Sequence, residues 1–377
     1  MTIDPVGEFD PVAFLESSVE IPSHEEVDQM RRFLCDVLEE NGAEASVDEA
    51  GNVLATRGPR EDFTAHYVLN THIDTVSPHV PLERDAGIVR GRGACDAKGC
   101  LASLLAAFLA VDPGSTRLTL AVTPDEEVLS TGAHALVSDP EGPFHGADGV
   151  IVGEPTGLDV CTAAKGRFEG TIHLEGANAH AAEPETGTNA IAALEPVIRA
   201  LETFDEREGG IDEHSELGSP TLTPTVVAGG DATNQVPADC ELTVDRRSVP
   251  PETAATFEVA LLEHLERAVP SNVSVSFAFT DRPTPFLEAW DTDSDGLLVR
   301  TLASAAAEAG FGGGGVRPFT AATEASYFAK FAPTVVFGPG VLADADGAVA
   351  HAPREYVRIA DVHSAAEAIA QTLDSLE

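Results

Sequence analysis

Leu118-Thr-Leu-Ala-Val122, followed by Thr123-Pro124-Asp125-Glu126-Glu127, is a short β-prone run that stops at adjacent carboxylates. Successive side chains of a strand alternate faces, and the turn beyond separates them further, so neighbouring acids there point in different directions. One can ligate a metal while the other handles the proton of a bound water. Three further stretches share this form: Tyr67-Val-Leu-Asn-Thr-His72-Ile-Asp74, Val150-Ile-Val-Gly-Glu154, and Thr334-Val-Val-Phe-Gly-Pro-Gly340 followed by His351. Each sets a potential ligand at or beyond the carboxyl end of a β-branched-rich segment.

Around these runs, strand and helix patterns alternate. Helices are expected at 12–19 and 29–40, a hairpin at 45–47 and 52–56, and a strand at 67–71. An apolar helix at 100–111, a strand at 118–123, a helix at 132–138 and a strand at 149–152 follow. Such alternation builds a layered α/β sheet whose sites lie beyond the carboxyl ends of its strands. From Lys165-Gly166 the order becomes β-α-β-β-α-β, with strands at 168–174, 221–228, 240–246 and 273–279 and helices at 189–204 and 252–268. That order is the ferredoxin-like α+β sandwich. After Asp281-Arg-Pro-Thr-Pro285 the first pattern resumes, with helices at 297–309 and 323–330, a strand at 334–337 and a last helix from about Asp361. The expected fold is therefore α/β with a mixed central sheet, split into residues 1–165 and 281–377 around an inserted domain at 166–280. Insertions of this kind enter at surface connections where the two chain ends lie close.

Hydrophobic residues make up 43 % of the 377, which argues against disorder. The formal charge is −41, from 63 acidic and 22 basic residues, and Lys98, Lys165 and Lys330 are the only lysines. The acids are spread evenly, as suits a surface that works in the concentrated salt of a halophilic cell, where counterions screen self-repulsion. The same balance speaks against nucleic-acid binding, which needs basic patches. No apolar run approaches the roughly 18 residues of a membrane span. Met1-Thr-Ile-Asp-Pro5 has neither the basic region nor the apolar core of a signal peptide, so a cytoplasmic location is expected. Five scattered cysteines form neither a disulfide framework nor a CxxC site. There is no GxGxxG after a strand and no GxxxxGK(S/T) to bind a nucleotide.

The ligand candidates are His72, Asp96, Glu127, Glu154 and His351. Mixed imidazole and carboxylate donors suit zinc, and a bridging carboxylate suits two ions about 3.5–4 Å apart. Asp96, in Gly91-Arg-Gly-Ala-Cys-Asp96-Ala-Lys-Gly99, is the best bridge because the glycines let the backbone approach closely. His72 and Glu154 would complete one ion, Glu127 and His351 the other. Asp74, two residues beyond His72 on one strand face, would accept the far imidazole N–H and fix the tautomer. Glu126 would be the general base, moving a proton from water to the leaving nitrogen.

Taken together, His72-Ile-Asp74-Thr, Gly91 to Gly99, Asp125-Glu126-Glu127, Gly153-Glu154-Pro155 and the late His351 resemble the di-zinc aminoacylase and carboxypeptidase family. That family includes acetylornithine deacetylase, succinyl-diaminopimelate desuccinylase and glutamate carboxypeptidase. The resemblance covers nearly the whole chain, with Ala97 standing where the family usually has methionine. It implies two Zn2+ per subunit, with Co2+ or Mn2+ able to substitute, and a homodimer formed through the inserted domain. It also implies that His180 reaches across the dimer to steady an oxyanion. Asn234 and Arg247 match substrate-contacting positions, and the arginine fork suits an α-carboxylate. Arg246 would face the opposite side of the strand. Lys165-Gly166-Arg167 lies at the hinge, its role open. Thr323 and Glu324, in a Thr-Glu-Ala stretch like that of the acetylornithine deacetylase branch, and the loop at Gly338 would cradle the substrate carboxylate and favour a cationic side chain. The implied reaction is hydrolysis of an N-acyl amino acid, foremost N2-acetylornithine in arginine biosynthesis. The alternatives are succinyl-diaminopimelate desuccinylation in lysine biosynthesis and dipeptidase or carboxypeptidase activity.

Overall fold

A computed structural model of the chain describes residues 9–310 and 312–376. The stretch Met1 to Pro5, read above for a leader, lies outside them. The chain forms two compact units: one runs through Ala163 and returns at Asp291–Phe319 and from Thr323 on, the other comprises Ala164–Trp290 with Thr320–Ala322.

In the first unit the sheet runs, from edge inward, Ala45–Val47, Val53–Arg57, Arg117–Thr123, His66–His72, Gly149–Val152, Thr334–Val336 and Val160–Ala164. His66–His72 is parallel to Arg117–Thr123 and to Gly149–Val152, and Thr334–Val336 is parallel to Gly149–Val152; the outer pairings are antiparallel, so the sheet is mixed. Strands covered on both faces read as unbroken apolar runs, and every residue of His66–His72 and Gly149–Val152 is buried. Helix Lys98–Ala110 packs against the sheet and against helices Pro11–Glu20 and Ile359–Ser375. Eleven of its 13 residues are buried, the reason it is apolar all round. Register brings the strand ends level: His72 lies opposite Thr123, Asn70 opposite Val152, and Val152 opposite Val336. Asp74, Asp125-Glu126-Glu127, Glu154 and Phe337-Gly338 therefore leave the sheet at one edge.

A small sheet of Glu83–Asp85, Ile88–Arg90 and Tyr356–Arg358 has no counterpart in the sequence reading, because three-residue strands carry no periodic signal. It sets the turn after Arg90 beside the segment that ends at Glu355. The helix expected at 323–330 is confined to Ala325–Phe328. Among the described residues no helix is long and apolar enough to cross a membrane.

The second unit is a four-stranded antiparallel sheet in the order Thr221–Gly229, Asp239–Ser248, Gly166–Glu175 and Ser274–Phe279, with helices Leu194–Glu202 and Ala254–Ala268. The first of these helices starts later than position 189 because the turn that Asn189 caps, its Oδ1 accepting from Ala192 N at 3.0 Å, is wound with i→i+3 bonds (Ala193 N to Ala190 O, Leu194 N to Ile191 O) before the α-helix begins. Residues 281–290, which the sequence pattern assigns to the returning catalytic part, cluster with this unit. Arg167 N donates to Leu287 O at 2.9 Å, and Phe286 packs on the core around Phe168 and Phe257.

Adjacent arginines on strand Asp239–Ser248 show how alternation sorts side chains. Arg246 is fully buried, donating to both oxygens of Asp205 at 2.7 and 2.8 Å and of Glu252 at 2.7 and 2.9 Å, and lying over Phe204 and Phe257. Arg247 is 44 % exposed and pairs with Asp245. Arg246→Met should lower unfolding free energy by about 3–5 kcal/mol, since it leaves buried Glu252 uncompensated. Arg247→Ala should cost no more than about 1 kcal/mol. Denaturant midpoints of the two variants check the difference.

Candidate metal centre

The strand-end side chains converge. One donor atom each from His72, Asp96 and Glu154 lies within 4.8 Å of the others, and the same holds for Asp96, Glu127 and His351. Asp96 belongs to both groups: its Oδ1 is 3.3 Å from His72 Nε2 and its Oδ2 is 3.3 Å from His351 Nε2. His351 Nε2 also lies 3.0 Å from Glu127 Oε1. Asp96 and Glu154 are 7 % and 5 % exposed, whereas the His351 side chain is 52 % exposed on a loop where its φ is +62°. One group is therefore enclosed and the other open on one side.

Asp74 sits past the end of its strand, so it does not share a strand face with His72. The chain turns back, and His72 Nδ1 lies 3.0 Å from the Asp74 carbonyl and 3.2 Å from Oδ1. Both acceptors hold the proton on Nδ1 and leave Nε2 free to ligate. The Asp74 carboxylate also accepts from the N–H groups of Glu126 at 3.1 Å and Glu127 at 3.0 Å. It thereby joins two strand ends. Asp125 accepts from Thr131 N at 2.8 Å and Gly132 N at 2.9 Å, fixing the start of the next helix.

Around this point six carboxylates (Asp74, Asp96, Glu126, Glu127, Glu154 and Glu324) face two imidazoles. Burial raises the Glu126 pKa well above the usual range, with His72 opposing and Glu324, Glu127 and Asp96 adding to it. Burial likewise raises Glu154, reinforced by Asp96 and Glu126. Burial acts to lower His72, yet Asp74 and Asp96 outweigh it and hold the imidazole well above its ordinary value. His351 is pushed up to about 10 by its hydrogen bonds to Asp96 and Glu127. Negative charge packed this densely is satisfied by bound cations, and imidazole nitrogens with carboxylate oxygens are the donor set of zinc-type ions. The residues present fit a two-ion centre.

The proposed substrate cradle is different. Glu324 is 1 % exposed, and its Oε2 accepts from Thr123 Oγ1 at 2.7 Å. Its other oxygen, Oε1, is buried without a hydrogen-bond partner among the described residues. Thr323 Oγ1 donates to Glu154 Oε1 at 3.2 Å, steadying a candidate ligand. The Gly338 N–H donates to Thr156 Oγ1 at 3.1 Å and so is not available to a carboxylate. A Cβ there would fall 2.7 Å from Glu154 O and 2.9 Å from Cys100 Sγ, which explains the glycine by close packing. In the second unit, His180 is exposed on the two-residue strand Ala179–His180. Ala182 N donates to His180 Nδ1 at 3.1 Å, placing the ring proton of the neutral form on Nε2. Asn234 adjoins it, its carbonyl accepting from Ala181 N at 2.9 Å. Arg247 stands on the exposed face of strand Asp239–Ser248.

Glu324 also gives a pH prediction. Burial raises its pKa to about 8 from 4.5, so the folded metal-free protein binds more protons than the unfolded chain between those values. Its contribution to stability should fall as pH rises from 4.5 to about 8, by on the order of a few kcal/mol. Glu324→Gln should flatten that part of the metal-free stability profile, measured by melting across the interval.

A mixed sheet that brings carboxylates and imidazoles together at one edge, with one aspartate common to two ligand groups, defines a metal-dependent hydrolase. The sequence model of peptidase family M20/M25/M40 matches residues 68–375, and the chain belongs to that family. It is 31 % identical over 356 residues to a protein of Pyrobaculum aerophilum named as a LysW-lysine/LysW-ornithine hydrolase, covering 94 % of each chain. It is also 31 % identical to the acetylornithine deacetylase of Myxococcus xanthus, over 84 % of this chain and 82 % of that one. In fold it is similar to the aminopeptidase PepT of Bacillus cereus, with a TM-score of 0.78 at 18 % identity over 99 % and 100 % of the two chains. The protein is a metal-dependent amidohydrolase.

Proposed function

We propose that the protein cleaves the amide bond of an N-acylated basic amino acid, with N2-acetylornithine as the leading substrate. The observation that carries this reading is the Asp96 carboxylate shared between the His72/Glu154 and Glu127/His351 groups. Two divalent ions held there, zinc or a substitute such as cobalt, would supply Lewis acidity toward the amide carbonyl and a water of lowered pKa. The Glu126 carboxylate would take the proton of that water and deliver it to the leaving nitrogen. Asp74 holds the backbone of Glu126 and orients His72 while this happens. Arg247, with a fork suited to a carboxylate, would grip the amino-acid end, with Asn234 beside His180.

A homodimer fits the second unit. Strand Thr221–Gly229 lies at the sheet edge, and Val226 and Val227 are 61 % and 60 % exposed on it. An unpaired edge with exposed valines is a template for a second copy. His180, with its proton on Nε2, would then serve the site of the other subunit as an oxyanion donor. His180→Ala should leave zinc content unchanged and lower kcat by about 10²–10³. Mixing it with a Glu126→Gln partner should restore activity through mixed dimers; no restoration would argue against the cross-dimer role.

Both curated relatives carry ornithine in their names, which supports a basic amino acid as product. The nearly full-length match to the Pyrobaculum protein favours a second reading, the same cleavage on ornithine joined to LysW. N2-acetylornithine, LysW-linked ornithine, N-acetyl-lysine, N-succinyl-diaminopimelate and simple dipeptides, assayed at molar salt with zinc or cobalt, separate the two. Highest kcat/KM is expected on N2-acetylornithine. Preference for the dipeptides or the succinyl compound would overturn the assignment.

A further inference from the structure

The loop that carries Asp96 is held by a buried charge pair that no ligand reading includes. Glu355 Oε1 accepts from the N–H groups of Gly93 at 2.9 Å, Cys95 at 3.1 Å and Asp96 at 3.1 Å. Its Oε2 takes Arg92 Nη1 at 2.6 Å. Arg92 and Glu355 are 2 % and 1 % exposed. The guanidinium reaches further: Nε donates to Pro78 O at 3.1 Å and Nη2 to His351 O at 3.3 Å. Glu355 therefore fastens the main chain that leads into the shared aspartate, up to that residue's own N–H, while Arg92 fastens the main chain of the exposed histidine. The two strands from which these loops leave pair directly, Tyr356 opposite Arg90.

We infer that Arg92 and Glu355 form a positioning pair that sets the Asp96 carboxylate and the His351 imidazole in the places from which both candidate ions are held. Several features set this pair apart from an ordinary structural ion pair. Three N–H groups of one loop on a single carboxylate oxygen form a rigid anchor, and the anchored residue is the one ligand common to both groups. The His351 loop has a non-glycine residue at φ +62°, a conformation that side chains disfavour and that neighbours must hold. Arg92 makes its contact at that residue's carbonyl. Partners that orient ligands typically change metal affinity about 10–100-fold when removed.

The inference rests on the two-ion reading of the site, and its test separates the two. Metal-stripped protein is titrated calorimetrically with Zn2+, and the melting temperature of the metal-free form and the absorption spectrum of the Co2+ form are recorded alongside. Unaltered protein should take up two ions; uptake of fewer defeats the two-ion reading itself. Glu355→Gln keeps the side-chain volume and removes the charge, and should weaken binding of both ions about 10–100-fold with a shifted Co2+ spectrum. Arg92→Lys keeps a charge but loses the fork, and should weaken chiefly the ion of the Asp96, Glu127 and His351 group. Glu355→Asp should recover part of the affinity. A purely structural pair would lower the melting temperature and leave the dissociation constants and spectrum alone, and that result overturns the inference. If Glu355→Gln does not fold, Arg92→Lys decides by the same readings.

Discussion

Glu126→Gln is expected to retain two zinc ions per chain and to turn over about 10²–10⁴-fold more slowly, the usual contribution of a positioned general base. The substitution is nearly isosteric, and the position of residue 126 is set through its backbone, whose N–H is held by Asp74 Oδ1 at 3.1 Å. Its side chain is in neither ligand group, whereas its neighbour Glu127 is in one. Metal content should thus distinguish the two adjacent acids: Glu127→Gln should lose affinity for one ion, and Glu126→Gln should not. The amide can still hydrogen-bond, but it has no basicity with which to take a proton from water. Zinc analysis by mass spectrometry, paired with kcat at saturating metal, reads both consequences. Near-normal turnover in the metal-loaded variant would remove Glu126 from the reaction.

The strand ends were legible because three β-branched-rich runs, at 67–71, 118–122 and 150–152, lead within three residues to a histidine or an acid, and a fourth, at 334–336, precedes the loop of His351. Parallel register then does the rest, since level strand ends bring residues separated by hundreds of positions to one edge. Asp74 was legible as a partner of His72 but not in its manner of contact, because where a strand ends by a residue or so is below what periodicity resolves. Burial was the harder property. In a chain with 63 acidic residues, nothing in the type of Glu324 or Glu355 announces that each is about 1 % exposed. Glu355 does stand four residues after His351, yet its partner Arg92 lies 263 positions away. The three-residue strands that join them leave no pattern to read. Gly338 was legible as a special position, but for the wrong reason: the close approach of Glu154 and Cys100 demands the missing Cβ, and the N–H is already used by Thr156.

Asp96→Asn should abolish binding of both ions and with it all turnover, a larger effect than loss of any other single ligand. His72 and Glu154 belong to one group and Glu127 and His351 to the other, so removing any of these leaves all three donors of the opposite group in place, Asp96 included. Only Asp96 offers one oxygen to each group, 3.3 Å from the imidazole on either side. The asparagine keeps the shape but presents a single neutral oxygen and an amide nitrogen that repels a cation, so it can serve at most one side, and weakly. The fold should survive, because Glu355 grips the loop through main-chain N–H groups that do not depend on the residue 96 side chain. His351→Ala provides the contrast, with one ion retained in the enclosed group of His72, Asp96 and Glu154. Calorimetric titration of the three metal-stripped proteins, with far-ultraviolet circular dichroism to establish folding, should give two, one and no tight sites for the unaltered, His351→Ala and Asp96→Asn chains. A folded Asp96→Asn protein that held both ions as tightly as the unaltered chain would mean that the two groups are bridged by something other than this carboxylate.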